Sequence, residues 1–312
     1  MKCNSIIILL NLLFSFLANA QQNAQFSDYK INMSSFNPAF AGYYDGSILL
    51  IHRSQFTGIE GAPETQNLNI NVPISIYMGT GFNLINENLG VTQKLIATAD
   101  YSYTIYTNDY NMITFGLKGG VSNLNVNYSR LDLGQGNDMS FENNINNLIR
   151  PRIGVGFLYN APSWFVGLST PNFIKEIDDP SIKSTPLTTN SEFYLITGFL
   201  TTINNNLLFK PSILAKKVKN EPFIIDLALN FELQGNFRFG VSYRWDNAIT
   251  ATAGINFMEN FQAGFTYDRN INGLGAYAPS SNQFYLKYVF KHAKDIRRDN
   301  FSFTNPTNNI GF

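Results

Sequence analysis

The sequence predicts an all-β fold: a transmembrane outer-membrane barrel of about fourteen antiparallel strands. Three observations predict it. The chain opens with an export leader, it repeats segments whose apolar and polar residues alternate with period two, and its connections are short at one end of that series and often long at the other.

The leader reads MKCNSIIILLNLLFSFLANAQQ. Lys2 supplies a positive n-region, residues 6–17 an apolar stretch too short to span a bilayer comfortably, and Ala18-Asn19-Ala20 a small-residue cleavage site. Residues 1–20 are therefore read as a signal peptide. Residues 21–46 form a lead-in or plug segment, 47–290 the barrel and 291–312 a C-terminal periplasmic tail. Cys3 is the only cysteine and precedes the apolar run, so the processed chain has no disulfide, thiolate metal site or cysteine nucleophile.

Composition narrows the class. Only 14% of residues are charged, against about a quarter in ordinary soluble domains. There are 22 basic and 22 acidic residues, so no basic excess points to nucleic acid. Beyond the leader no apolar run approaches the length of a membrane helix. A soluble β-sandwich and an outer-membrane barrel remain.

The strands are read in order at 47–53, 65–73, 80–86, 94–106, 111–127, 152–159, 164–169, 191–203, 207–217, 222–233, 237–245, 249–257, 261–268 and 284–290. The clearest is FRFGVSYRW, where Phe237, Phe239, Val241, Tyr243 and Trp245 oppose Arg238, Gly240, Ser242 and Arg244. PFIIDLALNFEL, ITATAGINF, FQAGFTYD and FYLKYVF repeat the pattern. After even strands the connections are short: TNDYN, NAPS, NNN, QGN and MEN. After odd strands, 54–64, 128–151, 170–190 and 269–283 are long, whereas KNE and DNA are short exceptions. Periplasmic turns and extracellular loops sort in this way, and a sandwich has no reason to do so.

Asp226, Glu232, Arg238, Arg244, Asp268 and Lys287 all fall on polar rows. An Arg facing lipid at the midplane costs about 2–4 kcal/mol, so an apolar row in contact with lipid excludes charge and leaves it to the lumen. A buried soluble face excludes charge too. The combination with export, loop asymmetry and aromatic strand ends such as Tyr243, Trp245 and Tyr267 favours the barrel.

Catalytic and metal chemistry finds little support. His52 and Ser54 share one strand face at i and i+2, the spacing of a Ser–His pair, but no acidic orienter accompanies them; the plainer reading is a lumen or rim histidine. His292 lies in the charged stretch KHAKDIRRD. Asp178-Asp179 reads as a solvated acidic turn before a calcium site. GLKGG at 116–120 has no following helix to bind phosphate and reads as strand glycines in a crowded lumen. No enzyme, cofactor or metal signature emerges.

The N-terminal region carries a resemblance. Gln25, Ser27 and Tyr29 are followed by Asn37, Pro38, Ala39, Ala41 and Gly42. Next come Arg53, Gln55, Phe56 and Gly58, then Gly61, Ala62, Pro63 and Thr65. These stretches resemble the opening of the PorP/SprF family, outer-membrane proteins associated with the type IX secretion system of Bacteroidetes. Similarity continues through FGLKGGVSNL, PRIGVGFLYNAPSWFVGLSTPNF and FTYDRNINGLGAY. Ser281-Asn282-Gln283 departs from the family's Ser-His-Glu-like stretch, and about twenty residues follow Phe290.

The resemblance implies a non-enzymatic accessory of secretion in the outer membrane. Its partners would be a secreted cargo such as a large gliding-motility adhesin, engaged through the cargo's C-terminal domain, other secretion machinery, and outer-membrane lipid. The alternative is a passive or substrate-selective porin. Asn37, Pro38, Gly42, Arg53, Gln55, Gly58, Gly61 and Pro63 are candidates for partner binding or for a plug. Pro38 and Gly42 would fix a turn before the first strand. Residues 21–45 either fill the barrel or dock outside it. The loop bearing Gly58, Gly61 and Pro63 either meets cargo or caps the lumen.

Overall fold

A computed structural model describes residues 26–43, 45–108, 110–130, 144–174, 191–219, 221–258, 260–276 and 280–290. The expected signal peptide, the tail with His292, and Asp178-Asp179 lie outside them.

Among the described residues fourteen strands follow one another: β1 (Gly46–Ser54), β2 (Glu64–Pro73), β3 (Met78–Leu89), β4 (Thr92–Tyr106), β5 (Met112–Val126), β6 (Ile145–Asn160) and β7 (Trp164–Thr170). Then come β8 (Glu192–Phe199, resuming as Thr201–Asn204), β9 (Leu207–Phe209, resuming as Ser212–Val218), β10 (Ile224–Leu233), β11 (Phe237–Arg244), β12 (Ala248–Phe257), β13 (Phe261–Asn270) and β14 (Ser280–Phe290). Each pairs antiparallel with its neighbours in sequence, and β1 pairs with β14 from Gly46↔Phe290 to Ser54↔Asn282. The sheet is thus closed, which leaves no edge for lipid to meet. In β9, Pro211 lacks an N–H, and the ladder steps over it with its carbonyl still accepting from Phe199 N at 2.9 Å.

Side-chain alternation sorts the two faces. In β11, Phe237, Phe239 and Val241 are exposed, whereas Ser242 and Arg244 are buried. Apolar residues therefore cover the outside, and Asn, Thr, Ser and paired charges line the inside. This inverts a soluble fold, as a bilayer solvent requires. Aromatic ladders cross the outer face, as where Phe209, Phe231 and Phe239 stack at 5.0 and 5.4 Å.

Several boundaries differ from the sequence reading. β3 runs to Leu89 and β4 begins at Thr92, so their connection is only Gly90-Val91, with Gly90 at φ +56°. β6 begins at Ile145 and β14 at Ser280. Outside the hydrocarbon, outward residues need not be apolar, so pairing continues where the hydrophobic period has stopped.

Candidate functional site

The interior is occupied by the chain's own residues 26–43. They form a 3-10 turn (Tyr29–Asn32), one α-helical turn (Met33–Phe36) and a second 3-10 turn (Pro38–Phe40). No piece is long enough to be stable alone, so packing must hold them. Asn37 starts the last turn, its side-chain oxygen accepting from Ala39 N at 2.9 Å. Pro38 follows at the first helical position, where its missing N–H costs nothing. Gly42 adopts φ +56°, which a side chain would disfavour.

Aromatic side chains anchor this segment. Phe36 packs on Tyr194 of β8 with centroids 5.4 Å apart, and Phe40 meets Phe165 of β7 edge-on at 5.6 Å. Tyr29 is 1% exposed and shares a 2.8 Å hydrogen bond with Ser212 of β9. Burial pushes its phenol far above the usual range, so it stays neutral.

Glycines in the wall admit the turn. A Cβ on Gly116 would overlap backbone atoms of Pro38 and Ala39, and one on Gly156 would overlap Asn37 Oδ1. These two glycines sit directly opposite each other in β5 and β6. At Gly79 a Cβ would strike the Ala41 carbonyl, and at Gly167 it would lie 2.9 Å from Asn37 Nδ2. Asn37 Nδ2 donates to the Phe157 carbonyl at 3.0 Å.

Hydrogen bonds follow the segment along the lumen. Near the end that carries the long loops, Ser27 N donates to Gln283 Oε1 at 3.0 Å, and Ser27 Oγ to Asp268 at 2.5 Å. At mid-height Asn32 donates to Asn67 at 2.7 Å, Ser35 to Asn83 at 2.9 Å, and Lys118 Nζ to the Ser34 carbonyl at 3.2 Å. At the loop end of β7 Ser169 Oγ donates to the Phe36 carbonyl at 2.9 Å, and toward the short turns Ser102 Oγ donates to the Ala41 carbonyl at 2.7 Å. Hollows of about 30 and about 80 Å³ remain beside the segment.

The charged candidates lie on this inner face. Arg53 pairs with Asp268 at 3.0 Å, Arg244 with Asp226 at 3.1 Å, and Lys210 with Glu232 at 2.7 Å. Each pair is almost wholly buried, so each partner offsets the other's desolvation. Arg238 lies 5.7 Å over the Tyr285 ring and lines the larger hollow. Asp100 and Lys118 form a further pair at 2.8 Å.

The rim residues group separately. Gln55 N donates to the Pro63 carbonyl and Thr57 N to the Ser280 carbonyl, both at 2.9 Å. Gly90 N donates to the Gly61 carbonyl at 2.9 Å, tying the β1–β2 loop to the β3–β4 turn. Gly58 and Gly61 take φ +97° and +71°. Around them is a hollow of about 390 Å³ lined by polar and small residues together with Phe56 and Ile59. Alongside, Leu124, Val126 and Tyr128 form a small core that stiffens the β5–β6 hairpin above the wall.

The candidate set therefore splits. Asn37, Pro38, Gly42 and Arg53 gather within the lumen, whereas Gln55, Gly58, Gly61 and Pro63 form the rim. His52 and Ser54 do meet, Ser54 Oγ lying 3.2 Å from His52 Nε2, but on the exposed outer face. Among the described residues, no carboxylate pairs with His52. Sequence reasoning missed Gly79, Gly156 and Gly167 as a cradle, and Asn67 and Asn83 as docking groups. The available signal was glycine and asparagine recurring on polar rows of neighbouring strands.

No curated protein matches the chain. Among solved structures it is similar to the outer membrane protein Omp33 of Acinetobacter baumannii, at 7% identity and a TM-score of 0.46, covering 79% of this chain and 98% of that one. It is also similar to the CymD monoaromatic hydrocarbon channel, at 12% identity and a TM-score of 0.47, covering 83% and 93%. These overlaps are loose, and barrel closure rests on this chain's own strand pairing. With its apolar exterior the barrel belongs in the outer membrane. The model of the type IX secretion system membrane protein PorP/SprF matches residues 18–288, and the chain belongs to that family.

Proposed function

We propose that this chain is a non-enzymatic accessory of type IX secretion that binds a secreted protein at its extracellular rim. It would receive the cargo's C-terminal domain and support export or surface attachment. The observation that carries this reading is the filled lumen: hydrogen bonds, aromatic anchors and a glycine cradle hold residues 26–43 along it. An occupied interior suits a docking platform better than a diffusive porin. Binding residues are then sought at the rim, where Ile59, Leu89 and Ile149 are exposed.

Two changes test it. Deleting residues 170–190, or replacing Ile59 with Arg, should weaken surface display of the cargo while the barrel still assembles. Unchanged display in both variants refutes docking at the rim. Large steady currents through the intact protein in planar bilayers would restore the porin reading.

A further inference from the structure

The outer wall is not uniformly convex. A groove of about 690 Å³ crosses it over β5–β9, walled by Phe115, Phe157, Leu168, Phe193, Leu195 and Phe223. Register explains the hollow. The outward row Phe157↔Leu168↔Leu195↔Ala215 ends on a small side chain, and Val155 stands opposite Thr170. Small residues among large ones leave a depression, and both Thr170 and Ala215 lie buried.

Two polar groups mark this groove. Thr170 is 8% exposed, and its Oγ1 has no hydrogen-bond partner. A buried hydroxyl left without a partner calls for an acceptor. Lys217 lies two residues after Ala215 on the same face, at the end of β9 toward the long loops. Its Nζ donates to the Glu221 carbonyl at 2.7 Å, and an ammonium has further protons to give.

We propose that this groove is a binding site for an anionic lipid of the outer leaflet. An acyl chain lies among the phenylalanines and leucines, an ester oxygen accepts from Thr170, and the phosphate meets Lys217. Position argues for lipid: the groove opens where hydrocarbon wets the wall, and its cationic rim sits toward the headgroups.

Native mass spectrometry of the purified, delipidated mature chain tests this. Phosphatidylglycerol, phosphatidylcholine with the same acyl chains, and inorganic phosphate are added separately. Phosphatidylglycerol should be retained about fivefold better than phosphatidylcholine, the effect of one basic residue at an anionic membrane surface. Phosphate alone should not be retained. Lys217→Glu should abolish the preference, and Ala215→Trp should abolish retention of both lipids, with Ala215→Leu as substitute should the Trp variant not fold. Leu229→Trp, elsewhere on the outer face, should change nothing. Equal retention of the two lipids by the native chain overturns the proposal. So does undiminished retention after the groove is filled, or a dimer that Ala215→Trp dissociates, which would make the groove a contact between copies.

Discussion

Substituting Gly116 and Gly156 with Ala together should unseat the segment inside the barrel and open a conducting path. Each added methyl would overlap atoms of the Asn37–Ala39 turn, and at Gly116 the obstructing atoms are backbone, which cannot rotate aside. Overpacking of this kind costs about 1–3 kcal/mol per site, so the pair costs about 2–6 kcal/mol. A shift of about 5.5 kcal/mol inverts a 99:1 equilibrium, so the upper end of that range suffices to make the open form dominant. Planar-bilayer recording reads the result: near-silent native barrels and frequent, sustained currents in the double variant. Gly119→Ala is the control, because nothing lies within 4 Å of a Cβ there. Native-like silence in a correctly folded double variant would refute the idea that the glycines hold the segment in place.

Other perturbations follow from the same contacts. Arg53→Ala leaves Asp268 buried without its guanidinium and should lower stability by about 3–5 kcal/mol, read from the urea midpoint; replacing both partners with apolar residues should cost less. Phe239→Arg puts a charge on the outer face and should destabilise the barrel in vesicles by about 2–4 kcal/mol, measured by reversible unfolding. Asn37→Ala removes bonds to the Phe157 carbonyl and the Ala39 amide, and should speed hydrogen exchange across residues 33–43 while leaving β10–β13 unchanged.

The wall was legible because lipid imposes a strict rule on it. Phe237, Phe239 and Val241 had to alternate with Arg238, Gly240 and Ser242, and that alternation survives in one sequence. Where the strands leave the bilayer the rule lapses, and so the start of β6 at Ile145 was hidden among asparagines. The interior was less legible. Gly116 and Gly156 are forty residues apart, and their joint purpose appears only when β5 and β6 are set in register with the Asn37 turn between them. Arg53 and Asp268 stand far apart in sequence, and the pairing of β1 with β14 and of β14 with β13 brings them together.

The seam between β1 and β14 joins the first strand to the last, and residues 26–43 come before both. The hoop is thus incomplete until β14 has been made, whereas its filling leaves the ribosome before any of the strands. Whatever factor inserts the protein must either wrap the sheet around material already present or thread that material in afterward from the turn side. An assembly clamp holding β1 and β14 apart would leave the filling time to settle before the circle shuts.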